Sequence, residues 1–242
     1  MERKAFLRNG LAALGLVSIV PLACSKDDVT TPTDTDTTTG GSGTGTSGDC
    51  TVSPTETEGP FPTKTPSSLV RSNITDDRTG VDFTIKFTIL NTNNSCAVLA
   101  NAIVDIWHCD KDGYYSEYGG TGMQSVDYTG VNFLRGRQTT DSNGLVTFTS
   151  IFPGWYSGRA PHIHIHIYNA SGSSLLVTQV AFPEDVTKTV YTTATNYYTK
   201  GTQDTSNAND NIFSDSLASE LATVTGSIAE GYVMTHNIYV AA

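Results

Sequence analysis

The 242-residue chain carries a formal charge of −10, with 14 Lys and Arg against 24 Asp and Glu, and contains four cysteines. So acidic and lysine-poor a surface repels nucleic-acid phosphates, which excludes nucleic acid as its partner. Charged residues make up only 16% and hydrophobic residues 38%, a balance that suits an exported, Thr/Ser/Asn-rich β-protein with room for one moderate domain or two small ones.

At the N-terminus, Arg3, Lys4 and Arg8 precede an apolar stretch over residues 11–22 and the small residue Ala23. That stretch falls short of a comfortable membrane span of roughly 20 residues, so residues 1–23 are expected to be a cleaved signal peptide. Leu22-Ala23-Cys24 resembles a bacterial lipobox, which predicts acylation of Cys24 and attachment to the cell envelope through lipid. Ser25-Lys26-Asp27-Asp28 resembles a surface-export tag of lipoproteins, so an outer-membrane, surface-exposed destination is expected. Arg3-Lys4-Ala5-Phe6-Leu7-Arg8 resembles a relaxed twin-arginine signal, which leaves Sec and twin-arginine export both open. Residues 29–48 are almost entirely Thr, Gly, Ser, Asp and Pro and cannot bury enough apolar surface to offset their ordering entropy. The chain therefore divides into a lipoprotein signal (1–23), a tether (24–49) and one folded domain (50–242).

Within the domain, residues 81–89 alternate apolar and polar side chains without a fault, the period of a half-buried strand. Further strands are predicted over residues 102–108, 145–151, 162–167, 175–180 and 234–240, with turn signals at Asp141-Ser142-Asn143-Gly144 and at 91–94. One helix-like stretch of note runs over residues 214–224, with Leu217, Leu221 and Val224 on one face. Many short strands and at most one or two short helices predict an all-β fold, an antiparallel β-sandwich with long loops. With Cys24 acylated, an oxidising compartment permits one disulfide among Cys50, Cys96 and Cys109, in any of three pairings, or leaves all three reduced and buried.

The chemistry is concentrated at Pro153-Gly154-Trp155-Tyr156 and Arg159-Ala160-Pro161-His162-Ile163-His164-Ile165-His166. Side chains two apart on a strand share a face, so the three histidines face one way and the isoleucines the other, toward the core. Three imidazoles in a row ask for a metal. No CxxC or HExxH accompanies them, whereas phenols do: Tyr156, and the pair Tyr114-Tyr115 after Trp107. A phenolate is a hard anionic donor that prefers a trivalent ion, so a mixed tyrosine and histidine set points to Fe(III).

Val104-Asp105-Ile106-Trp107-His108-Cys109-Asp110 with Gly113-Tyr114-Tyr115, then Phe133-Leu134-Arg135-Gly136-Arg137, the histidine block, and Thr57-Glu58-Gly59-Pro60-Phe61 together resemble the intradiol ring-cleavage dioxygenases, over residues 50–240. The resemblance implies a β-sandwich, a non-haem Fe(III) and cleavage of a catecholic ring between its hydroxyls by O2 to a muconate-type diacid. It also implies metal ligation by Tyr115, Tyr156, His162 and His164, with Tyr156 accepting a substrate proton, Arg159 stabilising charge on the ring and Gln179 holding Arg159. Tyr114 stands one position out of register. His166 has no role in the resemblance and is left as an outer residue or a solvated strand end, while His108 is structural and His236 is exposed or a satisfied core group. Loops 63–73 and 119–131 are expected to read ring substituents, and Arg71, Arg78, Arg135 and Arg137 are candidate carboxylate clamps. Two other readings stand beside this one: a surface-anchored β-sandwich that only binds, and a divalent-metal hydrolase built on the histidine face.

Overall fold

The computed structural model describes residues 50–120 and 122–242; the predicted signal, Cys24 and the tether, residues 1–49, lie outside the described residues. The strands are β1 (Asp82–Asn91), β2 (Ala97–Val98), β3 (Ile103–Trp107), β4 (Arg135–Thr139), β5 (Leu145–Ile151), β6 (His162–Tyr168) and β7 (Ser174–Ala181). They are followed by helix α1 (Glu184–Thr193), the short helix α2 (Leu217–Glu220), β8 (Thr223–Ser227) and β9 (Gly231–Val240). One sheet has the order β2-β1-β9-β8 with β5 also paired to β1, and the other has the order β4-β3-β6-β7.

The predicted alternation puts Phe83, Ile85, Phe87 and Ile89 of β1 and Ile163, Ile165 and Ile167 of β6 into one core between the sheets. Each such fully buried side chain contributes about 1.5–3 kcal/mol. The fold is the expected β-sandwich, with two corrections. Between these strands the pairing is antiparallel except for β1 and β9, which run parallel from Phe83 opposite Tyr232 to Asn91 opposite Val240. In that register Ile85 stands beside Met234 and Ile89 beside Ile238, so both strands feed the same core. The helix predicted over 214–224 shrinks to Leu217–Glu220, because Thr223, Val224 and Thr225 pair with β9 instead, as β-branched residues favour. The longer helix, α1, escapes a hydrophobic-period search because it buries only Thr187, Val190 and Tyr191. Glu184 and Asp185 in its first turn favour the helix N-terminus electrostatically.

Cys50 and Cys96 form a disulfide, and Cys109 is reduced and buried, its thiol pKa pushed far up by loss of solvent. Of the three pairings open to the sequence, this one ties the start of the domain to the turn after β1.

Candidate active site

Two turns and one strand bring the donors together. The turn after β3 is organised by Asp110, whose Oδ1 accepts from the backbone N–H groups of Asp112 (3.0 Å) and Tyr114 (2.9 Å). Gly113 sits there at φ +92°, so close to the second turn that an added Cβ would meet the Trp155 carbonyl oxygen at 2.3 Å. This contact locks the Tyr115 turn to the Pro153-Gly154-Trp155-Tyr156 turn. Strand β6 then supplies His162 and His164, both buried on one face.

His162 Nδ1 lies 2.6 Å from the Ala160 carbonyl and so carries the ring proton, leaving Nε2 as an acceptor. Around that Nε2 lie His164 Nε2 at 3.1 Å, Tyr156 Oη at 3.3 Å and Tyr115 Oη at 3.4 Å. Burial, then the Arg159 charge, lowers the His162 pKa to about 3; burial and then His162 push His164 well below the usual range. Burial raises Tyr156 to about 12 and holds Tyr115 well above its ordinary value. At neutral pH the quartet is therefore two neutral imidazoles and two neutral phenols.

These residues fit a metal ion. The His162 and His164 Nε2 atoms stand 3.1 Å apart, a separation that matches one edge of a coordination shell with metal–nitrogen bonds of about 2.0–2.1 Å, and His164 Nδ1 is buried without a hydrogen-bond partner. The phenols complete a set in which anionic oxygen balances a trivalent charge. Among the described residues no three His, Cys, Asp or Glu side chains gather as a metal site, and nothing supports the divalent-metal hydrolase alternative.

Arg159 stands beside the quartet. Its Nη2 donates to Gln179 Oε1 at 2.7 Å and its Nε to Asp210 Oδ2 at 2.8 Å. The sequence reading did not find Asp210, an acid in a polar loop with no local signal. It is fully buried and also accepts from the N–H groups of Ala160 (2.6 Å) and Ile212 (2.9 Å). Burial opposes its ionisation, but Arg159 and the two N–H groups outweigh that and hold its pKa below the ordinary value. Phe213, also unforeseen, packs beside His162 with ring centroids 6.3 Å apart and lies under the Arg159 guanidinium at 5.7 Å.

The Trp107 ring stacks on His164 at 5.0 Å and an interplanar angle of 4°, and Phe61 stacks on Tyr115 at 4.9 Å. Gln124 bonds both the N–H and the carbonyl of Tyr115, each at 2.7 Å. Tyr114 is half-buried with its ring edge toward Tyr128, so Tyr115 is the phenol that joins the quartet. His108 is structural, as expected, between the Cys109 carbonyl (2.8 Å) and Ser150 Oγ (2.7 Å). His236 is half-buried in β9 and neutral, its pKa lowered to about 4 by burial. His166 is neither solvated nor in the quartet: it bonds Glu58 at 3.1 Å and Ser174 at 2.8 Å.

Loop 119–131 contributes Gln124 as a brace for Tyr115, whereas the loop over 57–61 and the segment holding Asp210 and Phe213 adjoin the donors. None of the four candidate clamps is free: Arg71 bonds the Arg135 and Asn132 carbonyls, Arg78 bonds Asp77, Arg135 bonds Ser116 and Phe61, and Arg137 bonds Asp105.

A protein-family model described as Dioxygenase matches residues 57–215. Among curated proteins, a chlorocatechol 1,2-dioxygenase of Rhodococcus opacus is 30% identical over 120 residues, covering 42% of this chain and 44% of that protein. A protocatechuate 3,4-dioxygenase beta chain of Burkholderia cepacia is 33% identical over 97 residues, covering 35% and 38% respectively. The chain thus spans about two fifths of the length of the curated relatives it matches. Among solved structures, an intradiol ring-cleavage dioxygenase from Tetranychus urticae is 29% identical with a TM-score of 0.70, over 79% of this chain and 95% of that one. The dioxygenase domain of a dioxygenase carbohydrate-binding protein fusion from Streptomyces sp. SirexAA-E is 25% identical with a TM-score of 0.58, over 79% and 99%.

Proposed function

Since the chain belongs to the intradiol ring-cleavage dioxygenase family, we propose that it opens a catecholic ring between its two hydroxyl-bearing carbons with O2, giving a muconate-type diacid. The observation that carries this is the convergence of Tyr115, Tyr156, His162 and His164 beside a braced Arg159. These four side chains would hold a non-haem ferric ion. When bound, that ion supplies the Lewis acidity and electron-accepting capacity that make a deprotonated catechol reactive toward O2.

The two phenols are suited to different tasks. Tyr115 is enclosed by Phe61 and tied through its backbone to Gln124, so it stays in place. Tyr156 is partly exposed on its turn, and the neighbouring Arg159 favours its ionised form against the effect of burial. As a phenolate, the form in which it would hold the ion, it is the better placed of the two to take up a proton as the substrate hydroxyls ionise. Arg159 itself cannot swing, because Asp210 and Gln179 hold two of its nitrogens. A cation fixed in advance stabilises charge developing on the ring without reorganising, and does so more strongly once substrate displaces water.

In this reading the enzyme works outside the cytoplasm, attached through lipid on Cys24. The disulfide between Cys50 and Cys96 supports an oxidising compartment. The test is to load the purified full chain with ferric ion and follow oxygen uptake across catechol, 4-chlorocatechol, hydroxyquinol and protocatechuate. A visible tyrosinate-to-iron absorption band, oxygen uptake and a muconate-type product are expected; a colourless protein with no uptake on any of the four would overturn the proposal.

A further inference from the structure

Strand alternation puts His166 on the β6 face that carries His162 and His164, yet its ring is committed elsewhere. Its Nδ1 lies 3.1 Å from Glu58 Oε1 and 2.9 Å from the Tyr168 hydroxyl, and its Nε2 lies 2.8 Å from Ser174 Oγ. An ionised carboxylate only accepts, so the Nδ1 proton belongs to the Glu58 bond and Nε2 accepts from Ser174. The Tyr168 ring stacks on the imidazole with centroids 4.0 Å apart, and Arg137, paired with both oxygens of Asp105 at 2.6 Å, covers Tyr168. His166 is thus a rigid post on the sheet, and Glu58 is what it holds.

Glu58 belongs to the loop over 57–61, where Thr57, Glu58 and Pro60 are exposed. Three side chains of the β4-β3-β6-β7 sheet reach up to this loop. Gln179 donates to the Thr57 carbonyl at 2.9 Å, Arg135 donates to the Phe61 carbonyl at 2.9 Å, and His166 donates to Glu58 between them. Gly59 follows at φ +67°, pressed so closely on the metal-site histidine that a Cβ would meet His164 Cε1 at 2.8 Å. The His164 imidazole is therefore sandwiched between the Trp107 ring and the loop backbone. Its Nδ1 is buried without a hydrogen-bond partner.

We propose that Glu58 and His166 are positioning residues for His164: their hydrogen bond staples the loop so that Gly59 holds the imidazole against Trp107. The proposal rests on the reading of the quartet as a ferric site. Neither residue bonds any of the four donors, so the effect passes through the loop. Partners that orient a metal-bound histidine from outside are worth roughly 10–100-fold in metal affinity.

The experiment compares Glu58→Ala and Glu58→Gln with the unsubstituted full chain. Each protein is loaded with ferric ion, and three quantities are measured: the rate of iron loss to excess EDTA, the position of the visible tyrosinate band, and the thermal midpoint of the iron-free protein. Glu58→Ala should lose iron about tenfold faster with a shifted band, while its iron-free midpoint stays put because the side chain is exposed. Glu58→Gln keeps an oxygen acceptor for the His166 bond and should stay within about twofold of the unsubstituted rate. Unchanged iron loss and band in Glu58→Ala would overturn the staple, and so would a lowered midpoint with iron loss unchanged, or equal losses in the two variants. An unsubstituted chain that takes up no ferric ion would instead overturn the dioxygenase reading itself, a result distinct from failure of the staple.

Discussion

Arg159 donates from Nε to the buried carboxylate of Asp210 at 2.8 Å, across 51 residues of chain. The pair fixes a cation that stands against the tyrosine and histidine quartet. The same carboxylate oxygen takes the Ala160 N–H at 2.6 Å, so Asp210 also holds the strand entry that leads to His162.

Asp210→Asn replaces one acceptor oxygen with a donor facing other donors. Ring cleavage is expected to slow by about 10–100-fold in kcat, with a smaller change in KM, because a charge-stabilising group is misaligned rather than a binding contact removed. Unfolding free energy should fall by about 3–5 kcal/mol, the cost of leaving a buried partner of a broken ion pair. Steady-state oxygen uptake and urea titration measure the two effects separately.

Tyr115 and Tyr114 are adjacent in sequence but only Tyr115 Oη approaches His162, at 3.4 Å. With the ferric protein, Tyr115→Phe is expected to shift and weaken the visible band and to lower iron retention by at least about tenfold. Tyr114→Phe should leave the band where it is. Absorption spectra of the two variants decide the register.

Breaking the Cys50–Cys96 disulfide, which closes a separation of 46 residues, should cost about 2–4 kcal/mol. The bridge lies beyond the Asn91 end of β1, while the turn carrying Tyr156 leaves the sheet near the Asp82 end, where Asp82 pairs with Ile151. Cys96→Ser should therefore lower the thermal midpoint while the visible band and turnover at 25 °C stay unchanged. Calorimetry with and without reductant, alongside the spectrum, tests both halves.

His108 is enclosed, and burial lowers its pKa to about 4 from 6.5. The unfolded chain binds a proton there below pH 6.5, whereas the folded chain does so only near 4, so folding stability falls as pH drops through that window. The slope from this one group is at most about 1.4 kcal/mol per pH unit, and it vanishes above the unfolded pKa. Urea midpoints between pH 7 and 4 should decline more steeply for the unsubstituted protein than for His108→Gln.

Much of this protein was decided locally. A two-residue period is a property of the extended backbone, so the alternation at residues 81–89 and 162–167 was enough to predict β1 and β6 and to put the isoleucines inward and the histidines outward. The spacing of Pro153-Gly154-Trp155-Tyr156 before the histidines likewise marked a tyrosine within reach of them, and the two lie 3.3 Å apart. Periodicity failed where an element has little apolar surface of its own. Helix α1 buries a threonine, a valine and a tyrosine and is held by its place on the sandwich, and residues 223–227 join β9 rather than continue a helix.

By itself, the sequence determined the strands, the facing of the histidines and the chemical character of the donors, because each depends on residue type and on neighbours two or three positions away. Tertiary structure alone decided that Asp210 braces Arg159, that Cys50 pairs with Cys96, and that His166 turns to Glu58 instead of joining its two neighbours. Those choices are made by contacts between segments 46 to 108 residues apart, and no local pattern encodes which loop will close over which face of a sheet.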